Sequence, residues 1–151
     1  MNLDESPEIL FWPETHYVYV EKTGPFMTTA PEAWQTAHSL VPVLSEHNKI
    51  TDYMSLYKGE AQIYRAGFAL SEPPNNLPAG LQYEMFSGGR YTRFVLTGPY
   101  SNLPQANRRA CEIVAEESIA LRDDFNIEHY VNDPRTTPEE ELVTEILFPT
   151  A

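Results

Sequence analysis

Two short segments, Thr23-Gly24-Pro25-Phe26 and Thr97-Gly98-Pro99-Tyr100, repeat one plan within a chain of 151 residues, 98 − 24 = 74 positions apart. Each follows a run rich in aromatic and β-branched residues and precedes a helical pattern, so each copy reads strand, Gly-Pro turn, helix. One residue of slippage then pairs Pro31 with Pro104 and Ala33 with Ala106. A duplication of this length constrains the architecture strongly. Two similar units are built from one motif and related by an approximate two-fold, and the junction of two repeats is a favoured place for a ligand groove.

The flanking residues fill in the plan. Residues 8–12 and 16–22 read as strands separated by Pro13-Glu14-Thr15, with residues 1–7 expected to be a loose terminus. Thr29 and Glu32 have the spacing of a capping box, which places a helix start there, and Ala33, Trp34, Ala37, Leu40, Val41 and Leu44 follow on one face. Pro42 is expected to kink or end that helix. Residues 51–57 alternate Tyr53, Ser55 and Tyr57 against Met54 and Leu56, the period of a strand, and residues 62–70 form the next one. The Pro- and Asn-rich stretch SEPPNNLPAG (residues 71–80) divides the copies.

The second copy gives strands at residues 81–86 and 91–96, joined through Ser87-Gly88-Gly89. A helix follows, capped by Ser101 or Asn102, with Pro104 in its first turn and a buried stripe of Ala106, Ala110, Ile113, Val114 and Leu121. Strands at residues 126–131 and 142–148 complete it. The expected fold is α+β, a tandem pseudo-two-fold repeat of ββαββ units within a single domain of residues 1–151. The internal copies span about residues 8–71 and 80–149. Antiparallel sheets carry two long helices on one side, and a ligand groove lies between the repeats.

Charge narrows the function. Twenty-two acids against ten Lys plus Arg leave a net charge of −12, which disfavours direct nucleic-acid binding because phosphate contacts need a basic patch. It favours a cationic small molecule or a basic protein surface, although solubility alone also accounts for it. Cys111 is the only cysteine, so no internal disulfide forms, and a lone thiol in a helical pattern reads as packing in a reducing compartment. The N-terminal MNLDESPEILFW lacks the basic start of a signal peptide, and no apolar run reaches the roughly 18 residues of a membrane span. The expected location is the cytoplasm. His16, His38, His47, His129 and Cys111 show no ligand spacing, and there is no Gly-rich phosphate loop, so neither metal nor cofactor is expected. The pair Arg108-Arg109 reads as a solvated helix face.

Glu128 and Tyr130 lie two apart and share one strand face, whereas His129 points the other way. Their counterparts in the first copy are Ser55 and Tyr57, 130 − 57 = 73 positions earlier. A carboxylate among aromatics acquires a raised pKa unless a cation compensates it, and with aromatic faces nearby it makes a site for an organic cation. The alternative is a salt bridge from Glu128 to Arg65, Arg90 or Arg93. Trp34, early on the first helix, and Tyr53 complete the candidate ligand-binding set of Glu128, Tyr130, Tyr57, Ser55, Trp34 and Tyr53.

The TGP-Tyr turn before a helix, the segment IEHYVNDP at residues 127–134, the tail TPEEELVTEILFP at residues 137–149 and the duplication together resemble the GyrI-like small-molecule-binding family. That family is also seen as the effector-binding domain of AraC-type and multidrug-responsive activators. The resemblance covers nearly the whole chain. It implies a pseudo-two-fold α+β fold with ligand in the cleft between repeats and a strand glutamate at its floor, which Glu128 matches. No DNA-binding segment is seen, so a stand-alone module is expected that binds or sequesters lipophilic, cationic aromatic compounds. Similar stand-alone members imply two alternatives. One is a metal-independent hydrolase of strained cyclopropane-bearing DNA alkylators using Glu128, and the other is an inhibitor of DNA gyrase.

Overall fold

A computed structural model describes the whole chain, Met1–Ala151. Its strands are β1 (Asn2–Trp12), β2 (Thr15–Thr23), β3 (Ile50–Lys58), β4 (Ile63–Leu70), β5 (Gln82–Phe86), β6 (Gly89–Thr97), β7 (Asn126–Tyr130) and β8 (Val143–Pro149). Its helices are α1 (Phe26–Ser45) and α2 (Leu103–Glu116). The fold is α+β, every strand pairing within the two compact units being antiparallel. One unit is Pro13–Gly88, and the other joins Met1–Trp12 to Gly89–Ala151. No helix is long and apolar enough to cross a membrane.

In the Pro13–Gly88 unit the strand order is β5-β2-β4-β3. Val18, Val20, Ala66, Phe68 and Leu70 form the sheet side of its core, on which α1 sets Ala33, Ala37 and Leu44. Alanine at two successive turns of the packing face lets the helix backbone approach the sheet closely. Each fully buried large side chain stabilises the fold by roughly 1.5–3 kcal/mol. The fully buried Tyr17 satisfies its hydroxyl by donating to the carbonyl of Met54 at 2.9 Å. Gly67 is required by contact: a Cβ there would stand 2.3 Å from the carbonyl oxygen of Val18.

The other unit has the order β1-β6-β8-β7, so in both units the strand that enters the helix is flanked by an extra strand and by the last strand. Phe94, Leu96, Ile146 and Phe148 meet Ala106, Ala110, Ile113 and Val114 of α2. The twin turns are alike in detail. Gly24 has φ +134° and Gly98 φ +133°, a region that glycine enters without strain. The Gly24 N–H donates to the carbonyl of Gln62 at 2.9 Å, and that of Gly98 to the carbonyl of Leu142 at 2.7 Å.

Several expectations are corrected. Residues 2–7 are strand, because Asn2, Leu3 and Asp4 pair with Thr97, Leu96 and Val95 before the register breaks ahead of Glu8. The ion pair of Glu5 with Arg109 ties the same strand to α2, so Arg109 is not merely solvated. The strands at residues 81–86 and 91–96 are not hairpin partners: β5 pairs with β2, and β6 with β1. The compact units accordingly change over at Trp12/Pro13 and Gly88/Gly89. Sequence pattern identifies a strand but not its neighbour.

Helix α1 begins at Phe26, ahead of the Thr29 capping box, because Pro25 stands at its N-cap; Thr29 instead donates its hydroxyl to the carbonyl of Pro25 at 3.1 Å. The same helix passes Pro42 and runs on to Ser45, burying Leu44. Asn102 stands at the N-cap of α2 without a side-chain cap bond, after a 3-10 turn at Tyr100–Asn102. Leu121 lies past the end of α2 and is 54% exposed, while Cys111 is exposed on the helix surface.

Candidate functional site

Strand β7 carries two chemistries on its two faces. On one, His129 meets Glu145 at 2.7 Å, Glu145 meets Arg93 at 3.0 Å, and Arg93 reaches Glu8, a charge ladder across all four strands of the unit. The ring of Trp12 stands edge-on to His129 at 5.3 Å. Hydrogen bonding from His129, reinforced by the charges of His129 and Arg93, holds the Glu145 carboxyl below the usual carboxylate range.

On the opposite face lie Glu128 and Tyr130, as two-residue spacing requires. The Tyr130 hydroxyl donates to Glu128 Oε1 at 2.9 Å, and Asn107 of α2 supplies a second hydrogen bond. Both partners are neutral. Cross-strand pairing aligns Glu128 with Ile146 and Ile146 with Phe94, two fully or almost fully buried apolar residues. Burial in this row pushes the half-buried Glu128 carboxyl above the usual range, against the two hydrogen bonds. The edge of Tyr100 meets the Tyr130 ring at 5.5 Å and 69°, and burial also raises the Tyr100 hydroxyl pKa.

The salt-bridge alternative for Glu128 is not what forms. Arg65 pairs with Glu21 at 2.8 Å and Glu84 at 2.6 Å. Arg93 pairs with Glu8 and Glu145. Arg65 and Arg93 thus pair with acids elsewhere, while burial, opposed by hydrogen bonds from Tyr130 and Asn107, sets the direction of the Glu128 shift.

In the Pro13–Gly88 unit the predicted residues Trp34, Tyr53, Ser55 and Tyr57 come together around one they did not include, Tyr64. The Trp34 indole N–H donates to the Tyr64 hydroxyl at 2.9 Å and to Ser55 Oγ at 3.2 Å, and those two oxygens lie 2.7 Å apart. Tyr57 stacks on Tyr64 at 6.4 Å and takes the edge of Phe26 at 5.8 Å. Ser55 and Tyr57 are enclosed, at 0% and 6% exposure. Trp34 and Tyr53 are half-buried and stack on each other at 6.4 Å with planes only 4° apart, and the exposed His38 leans against both.

Sequence reading missed Asn107, Tyr100 and Tyr64. The repeat itself held the signal for two of them: Asn107 is the counterpart of Trp34 (107 − 34 = 73), and Tyr100 that of Phe26 (100 − 26 = 74).

The architecture has known likenesses. The chain is similar to the C-terminal domain of EcmrR, with a TM-score of 0.79 and 16% identity over 100% of this chain and 99% of that one. It is similar to SAV2435 bound to tetraphenylphosphonium, with a TM-score of 0.68 and 12% identity over 97% and 94%. A hydrolase from Listeria innocua follows, with a TM-score of 0.61 and 12% identity over 97% and 92%. At such identities the likeness is one of fold. No curated protein sequence matches the chain. Residues 5–151 match the model of the GyrI-like small molecule binding domain, and with nearly its whole length accounted for the chain belongs to that family.

Proposed function

We propose that this GyrI-like domain binds lipophilic aromatic compounds, cations in preference to neutral molecules, with Glu128 as the counter-charge. The observation that carries the reading is a half-buried carboxyl whose partners, Tyr130 and Asn107, are both neutral. Ionising it in an apolar row costs free energy, and a bound cation offsets that cost. Tyr130 and Tyr100 offer aromatic faces beside it, and aromatic faces attract cations further. In the other unit, the stacked and half-buried Trp34 and Tyr53 are surfaces suited to a flat aromatic ligand. The similar SAV2435 structure holds tetraphenylphosphonium, a lipophilic aromatic cation.

Calorimetric titration with biphenylmethyl-trimethylammonium and with the neutral biphenylmethanol tests this. Glu128→Gln is expected to weaken cation binding by roughly 1–3 kcal/mol, the range for a charged hydrogen bond or its loss, and to leave the alcohol nearly unaffected. Equal losses for both compounds, or binding of neither by the wild-type protein, overturn the proposal.

A second reading is favoured by the same pair. A carboxyl whose pKa burial raises, hydrogen-bonded by a tyrosine, has the equipment of a general acid/base. It would serve hydrolysis of a bound electrophile such as a strained cyclopropane-bearing DNA alkylator. In that case Glu128→Gln retains alkylator binding and loses turnover by about 100-fold or more. An alkylator consumed no faster with the wild-type protein than in buffer removes this reading.

A further inference from the structure

The hydroxyl of Thr144 on β8 is fully buried, and its Oγ1 has no hydrogen-bond partner. Buried hydroxyls are almost always paired in native proteins, so one that is not calls for a reason. Thr144 stands opposite Tyr130 in the β7–β8 register, two residues from Ile146, which stands opposite Glu128. Paired residues of an antiparallel ladder point to the same face, so Thr144, Tyr130 and Glu128 look out on one side of the sheet.

The other unit shows what this position does when its polar groups bond one another. Tyr57 and Tyr130 are repeat counterparts. The residue opposite Tyr57 is Tyr64, whose hydroxyl is bound to Ser55 Oγ and to the Trp34 indole. Where that unit has Tyr64, Ser55 and Trp34, this one has Thr144, Glu128 and Asn107. A large ring gives way to a small side chain, and a cluster of mutually bonded polar groups gives way to a carboxyl with neutral partners and an unpaired hydroxyl.

Those two groups ask for different things from a cation. Glu128 needs positive charge, which a quaternary onium supplies as well as an amine does. Thr144 needs a hydrogen-bond partner, which a quaternary onium lacks. Diagonal positions on an antiparallel pair lie roughly 7–8 Å apart, and an ammonium bonded at about 2.8 Å to each oxygen bridges that gap once the Glu128 side chain extends toward it. Resting on the cation-binding reading, we propose that Thr144 is a specificity-determining residue, and that it selects N–H-bearing ammonium ligands over quaternary ones.

The test uses the full chain with biphenylmethylamine, which is protonated at neutral pH, and biphenylmethyl-trimethylammonium. The wild-type protein is expected to prefer the amine. Thr144→Val keeps the shape and deletes the hydroxyl, and is expected to lower amine affinity roughly tenfold, about the strength of one hydrogen bond to a charged group, with quaternary affinity unchanged. Thr144→Ser, which keeps the hydroxyl, retains the preference and guards against a Val variant that folds badly. A Thr144→Val protein with the same ratio of affinities as wild type overturns this inference, including one that is merely more thermostable. Cation binding that depends on Glu128 but ignores Thr144 leaves the broader reading intact, whereas no binding of either compound removes both.

Discussion

Trp34 of α1 and Asn107 of α2 hold the same position in their two units, and each reaches across to the same position of the strand that follows. Trp34 bonds Ser55 on β3, and Asn107 bonds Glu128 on β7. The aromatic contacts are matched too: Phe26 stands edge-on to Tyr57 at 5.8 Å and Tyr100 to Tyr130 at 5.5 Å. Matching positions in the two units thus carry two chemistries, an indole-centred neutral cluster and a carboxyl-centred one.

The raised pKa of Glu128 makes stability pH-dependent in a definite sense. Folded Glu128 keeps its proton to a higher pH than the unfolded chain does, so its contribution is most favourable below the ordinary carboxylate value and declines as pH rises through the raised folded value. Glu128→Gln removes that decline. Urea midpoints at a series of pH values are expected to coincide at the acid end and to favour the variant at neutral pH. A variant less stable than wild type at neutral pH would show that the ionised carboxylate stabilises the fold.

Cation affinity follows the same titration in the other direction. A proton and a bound cation compete for the Glu128 carboxylate, so affinity for biphenylmethyl-trimethylammonium is expected to rise with pH as Glu128 ionises and then level off. In Glu128→Gln the pH profile is expected to be flat through that range. A slope that survives the substitution assigns the titration to another group.

Glu145 titrates with the opposite sign. Its folded pKa is depressed by His129 and Arg93, so its stabilisation is present above the ordinary carboxylate value and is lost as pH falls through the depressed folded value. Glu145→Gln is expected to cost about 1–2 kcal/mol at neutral pH and progressively less in acid. Thermal melts across this range check it, and a cost that does not shrink in acid would show that packing rather than charge holds the ladder.

Two glycines separate steric need from chance. A Cβ at Gly67 meets the Val18 carbonyl at 2.3 Å and Tyr19 Cβ at 2.8 Å, whereas one at Gly59 meets nothing within 4 Å. Gly67→Ala is expected to cost about 3 kcal/mol or to prevent folding, and Gly59→Ala to stay within about 0.5 kcal/mol of wild type. Chemical denaturation measures both.

Trp34→Phe deletes the indole donor that joins Tyr64 to Ser55. A loss of about 1–2 kcal/mol is expected, seen as a fall in Tm of roughly 2–6 °C. Trp12 is then the only tryptophan. Ligand-induced quenching seen in wild type and absent from this variant places the ligand against Trp34, and unchanged quenching removes Trp34 from the binding surface.

What the sequence determined by itself was everything set by local chemistry and periodicity. Glycine before proline, twice and 74 positions apart, specified two strand-to-helix turns, and the positive φ at Gly24 and Gly98 is their physical content. Two-residue alternation placed Glu128 with Tyr130 and His129 opposite, because a pleated strand permits nothing else. What only the tertiary structure decided was which strand lies beside which. A strand's own pattern records burial and not its partner, so the pairing of β1 with β6 and of β5 with β2 was invisible, and with it the fate of residues 2–7. For the same reason the environment of Glu128 could not be chosen in advance between an arginine bridge and neutral partners. That choice depends on Arg65 and Arg93 meeting acids on neighbouring strands first, a long-range geometric outcome that no short stretch of chain encodes.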